Sequence, residues 1–357
     1  MRTSKEKYET FHTWDEIVSQ GQVWRGLLEE LPQSKTVKEI GEAAGRGGRW
    51  IFIGCGTSYY LAEAAAVTWS TLAGEPARAI PGSEVLLFPE LLRSEGAGLQ
   101  AFAISRSGQT SETVRAARIL KELGVPTIGI SCASDSDLEK ACERSMVLTG
   151  CDEKSTVMTR SFTSMLLSLQ FLAARFADKP QFIADLRAMA NQFAGRISTQ
   201  GETLEHFASE HNFEDFVFLG QGAFHGIARE AALKLMEMSC SYSQFFHTLE
   251  FRHGPKAIVS PKTCLTFFLG ESAQESEMEV LAEMKELGGT IIAICNQCSK
   301  VLRETADLVI EMNAGVHELA LLAPYTVPGQ FFGFFEGVRR GLNPDEPRNL
   351  ARVVILD

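Results

Sequence analysis

The feature that most constrains this chain is that it carries one pattern twice. Residues 49–66 (RWIFIGCGTSYYLAEAAA) align with 215–232 (DFVFLGQGAFHGIAREAA) at an offset of 166. AFAISRSGQT (101–110) matches CLTFFLGESAQE (264–275) at an offset near 165, and KELG occurs at 121–124 and again at 285–288. Each KELG precedes a β-rich run, VPTIGIS and then GTIIAIC. A self-similar unit of about 165 residues is the size of a domain, so the 357 residues hold two related domains. The expected boundaries are an N-terminal helical segment at 1–34, a first copy at 35–195, a second at 196–340 and a tail at 341–357.

Within a copy, short apolar runs alternate with helical ones. WIFIG (50–54), LQAFAIS (99–105), PTIGIS (126–131) and SMVLTG (145–150) read as strands. Residues 58–69 and 110–123 read as helices, the second capped by Gly124. Near-continuous apolar strands alternating with helices predict an α/β fold with a parallel sheet covered on both faces. Residues 14–31 form an amphipathic helix with Ile17, Trp24, Leu27, Leu28 and Leu31 near one face, and 160–200 reads as helices joining the copies.

The formal charge of −11 leaves no excess of Lys and Arg to neutralise phosphates, which argues against a nucleic-acid partner. An anionic ligand would need a local positive site against that field. Eight scattered cysteines in a chain this long do not make a disulfide framework, and Cys295 and Cys298 (CNQC) read as a strand-end turn rather than a zinc or redox pair. The N-terminus has no apolar signal core, and no run of about 18 apolar residues marks a membrane span. No metal, no cofactor and a cytoplasmic location are the expectations.

Two strand ends in the first copy are dense in hydroxyls and glycine: GCGTSYY (54–60) and ISRSGQTSET (104–113). In a parallel sheet, ligands bind beyond the carboxyl ends of the strands, where helix N-termini offer free N–H groups to an anion. Ser105, Ser107 and Thr110 can converge on one phosphate, with Thr57 and Ser58 on the neighbouring loop. Any one of these hydroxyls alone is an ordinary helix cap. The paired S-x-S-G-x-T and G-x-G-T-S are what point to phosphate. The second copy has GQGAF and GESAQE instead, with Glu271 facing the equivalent position, so one phosphate site per chain is expected.

The second copy carries different chemistry. In IAREAALKLMEMS (227–239), Glu230, Lys234 and Glu237 share one helix face. By spacing alone this is an ordinary solvated stripe. Downstream, His253-Gly254-Pro255 makes a sharp turn. A carboxylate and an imidazole together supply what an aldose–ketose isomerisation needs, a base for the proton between C1 and C2 and a group to open the ring. The other six histidines show no ligand spacing and read as structural.

CGTSYY (55–60), ISRSGQT (104–110), STVMTRSFTSML (155–166), AREAALKLMEMS (228–239), EFRHGPKAIV (250–259) and PRNLARVVILD (347–357) together resemble the sugar isomerase (SIS) family over almost the whole chain. Within it the chain is similar to the isomerase half of glucosamine-6-phosphate synthases and to related sugar-phosphate isomerase/deaminases and fructosamine deglycases. The resemblance implies two tandem SIS domains, each a flavodoxin-like parallel sheet flanked by helices. It places Ser58, Ser105, Arg106, Ser107 and Thr110 at the sugar phosphate and Thr156 and Val157 along the sugar. It makes Glu237 the C1/C2 base, Glu230 its supporting acid, and His253 a ring-opening group supplied by the adjacent subunit of a homodimer. Two departures alter the expected activity. The glutaminase domain of the synthases is not in these 357 residues, so glutamine-dependent amination is not expected. The family's Ala-Lys, whose amine forms an imine with the sugar, is Ala351-Arg352, and a guanidinium stays protonated. Lys234 is the nearest motif lysine that could substitute. The expected ligand is a phosphorylated amino sugar and the expected reaction isomerisation with deamination or deglycation. A plain ketose/aldose phosphate isomerase and a non-catalytic sugar-phosphate regulator are the alternatives.

Overall fold

The structure is a computed structural model that describes residues 7–43, 45–93 and 98–356. Met1 and Arg2, at the head of the N-terminal segment, and the tail's last residue Asp357 lie outside them. The chain packs as two compact units. The first-copy unit comprises 22–153, 160–190 and 351–357; the second-copy unit comprises the residues through Gly21, 154–159 and 191–350.

The first-copy unit holds five parallel strands: β1 (Arg49–Gly54), β2 (Ala77–Pro81), β3 (Leu99–Ile104), β4 (Thr127–Ser131) and β5 (Arg144–Val147). Their order is β2-β1-β3-β4-β5. The central strands β3 and β4 are buried throughout, which is why they read as unbroken apolar runs. On one face Trp50, Phe52 and Phe102 stack with Trp69 and Phe176, the Trp50 and Trp69 rings 4.5 Å apart. On the other, Ile51, Ile53, Ala101 and Ala103 pack against Val114, Ala117 and Leu120 of the helix Ser111–Glu122.

The second-copy unit repeats this with β6 (Asp215–Gly220), β7 (Ser243–His247), β8 (Thr263–Leu269), β9 (Thr290–Cys295) and β10 (Leu308–Glu311), ordered β10-β9-β8-β6-β7. Read from the other edge, this is the same order as the first sheet. The register repeats as well. Trp50 pairs with Ala77 as Phe216 pairs with Ser243, and Ala101 pairs with Thr127 as Leu265 pairs with Ile291. The offset is 166 in the first two strands and 164 afterwards, so the copies differ by two residues between their second and third strands. The helices Thr57–Ala73 and Ala223–Ser239 are both 17 residues long and begin after glycines with φ of 52° and 55°.

The amphipathic run 14–31 is two helices, His12–Val18 and Gln20–Glu30, rather than one. The break lies beside Gly21, where a Cβ would sit 2.6 Å from the carbonyl oxygen of Phe193; the close contact occurs at the bend. The expected joining helices are Arg160–Phe176, Pro180–Phe193 and Ile197–Glu210.

The second-copy unit also contains the helix Leu322–Arg339, buried along most of its length despite Pro328 inside it. Gly329, Gly333 and Gly337 form a flat stripe against the helix Ala223–Ser239. A Cβ on Gly329 would lie 2.5 Å from the Ala231 Cβ, one on Gly333 2.8 Å from the Lys234 carbonyl oxygen, and one on Gly337 2.4 Å from that of Met238. Only glycine permits this approach. On the helix Ala223–Ser239 the Glu230 and Lys234 side chains are buried, where a surface stripe would be solvated. Among the described residues, no helix is long and apolar enough to cross a membrane.

Candidate active site

In the first-copy unit, the two hydroxyl-rich turns lie at the carboxyl ends of neighbouring strands β1 and β3. Thr57 and Ser58 open the helix Thr57–Ala73 and are nearly sealed, and Ser58 N–H donates to the Cys55 carbonyl at 3.1 Å. Across the second turn, the Ser105 and Thr110 hydroxyls are 3.1 Å apart, and Ser107 Oγ accepts the Gln109 N–H at 3.1 Å. Gly108 folds this turn with φ of 62°, and a Cβ there would stand 2.3 Å from Ser136 Oγ. Ser105, Ser107 and Thr110 are thus gathered on one short loop ahead of the N-terminus of Ser111–Glu122, the arrangement that suits an anion.

Arg106 is engaged elsewhere. Its guanidinium is buried, lies 3.7 Å from the equally buried Glu153, and donates to the Arg352 carbonyl at 3.3 Å. Glu153 also accepts the Ser161 hydroxyl. Arg352 is exposed and donates to Asp152 Oδ1 at 2.7 Å. The tail around it crosses the start of the helix, with Ser111 N–H donating to the Val354 carbonyl at 3.2 Å and Arg115 to that of Leu356 at 2.9 Å.

The second copy lacks a comparable cradle for a physical reason. Phe224 stands at the Ser58 position, and its ring reaches 2.7 Å from where a Gly270 Cβ would lie. Glu271, at the Ser107 position, accepts from Asn296 Nδ2 at 2.6 Å. A phenyl ring and a carboxylate fill what the first copy leaves to hydroxyls.

In the second-copy unit, Glu230, Lys234 and Glu237 form one ion-paired row. Lys234 Nζ is 3.4 Å from Glu230 Oε1 and hydrogen-bonds Glu237 Oε2. The Glu230 and Lys234 side chains are fully buried, while that of Glu237 keeps 18% exposure. Burial alone would pull the Lys234 pKa down, but the two carboxylates outweigh it and hold the ammonium above its ordinary value. The geometry makes Lys234 the clamp between two glutamates. Sequence reading missed that role because Glu-x3-Lys-x2-Glu is also the pattern of a surface stripe.

Thr156 and Val157 lie in the same unit on a loop fixed from below. The buried carboxylate of Glu16 accepts Lys154 N–H at 2.6 Å and Ser155 N–H at 3.3 Å, and Thr156 N–H donates to the Asp345 carbonyl at 2.9 Å. Sequence reading also missed Glu16; its only signal was a charged residue on the apolar face of a helix. His253 is exposed, at the end of the short 3-10 turn Glu250–Arg252. His225 and His247 stack 3.7 Å apart, and burial keeps the His225 imidazole neutral, with its pKa pushed down to about 3. Cys295 ends β9, and all eight cysteines are free. A cleft of about 490 Å³ in the first-copy unit, lined by Leu27, Glu30, Met146 and Cys151 among others, touches none of the candidate phosphate or acid–base residues.

The fold is that of a protein with two tandem α/β domains of one repeated pattern. The SIS domain model matches residues 46–175 and 214–332, and the chain belongs to that family. Among curated proteins it is similar to glutamine–fructose-6-phosphate aminotransferase [isomerizing] of Caldanaerobacter subterraneus, 25% identical over 85% of this chain and 51% of that protein. It matches the protein of the same name from Methanothermobacter thermautotrophicus at 25% identity over 98% and 55%. The chain spans about half the length of these relatives. Among solved structures, glucosamine-6-phosphate deaminase from Thermotoga maritima superposes with a TM-score of 0.78 at 28% identity, covering 97% of this chain and 100% of that one. Tagatose-6-phosphate ketose/aldose isomerase from Escherichia coli, 22% identical over 97% and 96%, shares the fold with a TM-score of 0.84.

Proposed function

We propose that this chain is a phosphosugar isomerase/deaminase or deglycase acting on an amino sugar 6-phosphate. The observation that carries the reading is the buried Glu230–Lys234 pair ending in Glu237, the one member with solvent access. A carboxylate set in this way is a poised base. Resemblance to a glucosamine-6-phosphate deaminase over the full length of that chain supports the nitrogen chemistry.

In the proposed reaction, the hydroxyls of Ser58, Ser105, Ser107 and Thr110 and the helix ends hold the phosphate. His253 moves the proton between the ring oxygen and the anomeric hydroxyl to open the sugar. Glu237 takes the C2 proton and returns it to C1, converting the C1 aldehyde and C2 amine into a C1 alcohol and C2 imine. Water then hydrolyses the imine, releasing ammonia and leaving the ketose phosphate. With a fructosamine, whose nitrogen is on C1, the proton passes from C1 to C2 instead, and hydrolysis of the C1 imine releases the amine and leaves the aldose phosphate. Because the substrate brings its own nitrogen, no lysine is needed where Arg352 stands. Thr156 and Val157 line the sugar in this reading, and Arg106 orders the turn through Glu153. The exposure of His253 fits a homodimer in which each copy lends it to the other.

The test is incubation with 6-phosphorylated amino sugars and fructosamines, assaying ammonia or amine release. Glu237→Gln should lose on the order of 10²–10⁴ in kcat, and Ser107→Ala should chiefly raise KM. Wild type and Glu237→Gln giving equal release on every substrate would remove the proposal. A second reading, a plain ketose/aldose phosphate isomerase, would interconvert sugars with no amine released. A regulator without catalysis would bind a hexose phosphate and leave its C2 proton unexchanged in heavy water.

A further inference from the structure

The turn that carries His253 is gripped on both flanks by one carboxylate. Arg252, immediately before the histidine, donates from Nε to Glu283 Oε2 at 2.8 Å. Lys256, three residues after it, donates from Nζ to Glu283 Oε1 at 2.5 Å. The two oxygens of Glu283 therefore close a bracket around His253-Gly254-Pro255. Arg252 also lies 3.5 Å from Glu279 on the same helix, Gln274–Glu286. Two residues further back along that helix, buried Glu277 accepts the hydroxyl of buried Thr248 at 2.6 Å, fixing the start of the segment.

The turn needs such a grip. Gly254 has φ of 123°, and the local backbone bonds here are short-range ones, His253 N–H to the Glu250 carbonyl and Ala257 N–H to that of Gly254, both 3.0 Å. Isolated exposed ion pairs contribute little, because holding two long side chains costs as much as the pairing gains. Here the carboxylate is shared by two cations on a turn already anchored at Thr248, so the ordering cost is largely met beforehand. The cations hold the Glu283 carboxyl below its ordinary pKa, with Lys256 the larger cause.

We propose that Glu283 is a positioning residue for His253, setting the imidazole by gripping the backbone on either side of it. The proposal rests on the reading of His253 as a functional group, and its test separates the two. Glu283→Ala should lower kcat about three- to tenfold, the scale of two or three lost exposed pairs, with KM for the sugar phosphate changed less than twofold. The same substitution in a His253→Ala background should cost nothing further, because its effect passes through the imidazole. Glu283→Asp should recover part of the loss, and Glu275→Ala, an exposed residue of the same helix, should have no effect. Amide exchange at Ala257 and Val259 should quicken in Glu283→Ala whether or not a substrate is known. An equal loss in both backgrounds, or unchanged exchange, overturns the proposal. If wild type acts on no phosphosugar, the functional reading falls and exchange alone decides the grip.

Discussion

Lys234 and Glu230 face each other at 3.4 Å with both side chains sealed from water. Glu237 completes the row, so two carboxylates share one ammonium. Removing a partner from such a pair leaves a buried charge uncompensated, which costs about 3–5 kcal/mol. Lys234→Met should therefore lower the melting temperature by on the order of 10 °C. The double variant Lys234→Met/Glu230→Leu should regain most of the loss, because an apolar pair of similar volume suits the same space. If Lys234→Met melts with wild type, the row is not the electrostatic unit described above.

The glycine stripe on Leu322–Arg339 packs closely against the helix that carries this row. Gly333→Ala would put a methyl group 2.8 Å from the Lys234 carbonyl oxygen and from Met238 Cε. Overpacking of this kind costs about 1–3 kcal/mol. Gly26→Ala, on the helix Gln20–Glu30 with nothing within 4 Å of the new Cβ, should be neutral or slightly stabilising. Urea midpoints compare the two directly, and similar midpoints would mean that the helices separate without cost.

The duplication was legible because long apolar strands such as β3 and β8 are buried on both faces and so leave an unbroken signal. The edge strands β2, β7 and β10 gave none. They have four or five residues, are partly exposed, and end on Pro81, His247 and Glu311, so no apolar run marks them. The hydroxyls of the two turns stood out because they are paired on neighbouring strand ends, where a lone Ser or Thr would read as an ordinary cap, and phosphate binding there is a proposal. Whether the Glu-Lys-Glu row was surface or core could not be read from its own helix. The packing partner of that helix lies about a hundred residues away, with glycines spaced by four at 329, 333 and 337, and a fold is needed to bring the two stretches together. Arg106 also has a partner that its motif could not reveal: Glu153, buried and 47 residues on in the sequence, lies 3.7 Å from its guanidinium.

Glu277 gives the second-copy unit a pH dependence near neutrality. Burial raises its carboxyl to about 7 from an ordinary 4.5, against the opposing hydrogen bonds of Thr248 and the Gly270 backbone and with some help from Glu318. A folded-state value above the unfolded one means that the proton is held more tightly in the native chain. The stabilisation is full below about 4.5 and is lost as pH rises through 7. Glu277→Gln cannot ionise and keeps a group able to bond Thr248. It should match wild type near pH 5 and exceed it at pH 8 by at most about 3 kcal/mol, from about 1.4 kcal/mol per pKa unit. Parallel stability curves for the two proteins between pH 5 and 8 would place the Glu277 titration outside this range.

Arg352 tests whether the missing lysine can be restored. Its guanidinium donates to Asp152 Oδ1 at 2.7 Å and cannot form an imine at neutral pH. Arg352→Lys supplies an amine on the same tail, but Asp152 would favour the protonated ammonium and raise its pKa. Reduction with borohydride in the presence of a hexose 6-phosphate should trap a covalent adduct on Arg352→Lys, more at pH 9 than at pH 7, and none at this position in wild type. Adding Asp152→Asn should move the trapping toward neutral pH, because the amine then loses its anionic partner. Intact mass and peptide mapping read the adduct directly. Failure to trap any adduct at pH 9, with phosphate binding retained, would show that the tail does not bring residue 352 to the sugar carbonyl.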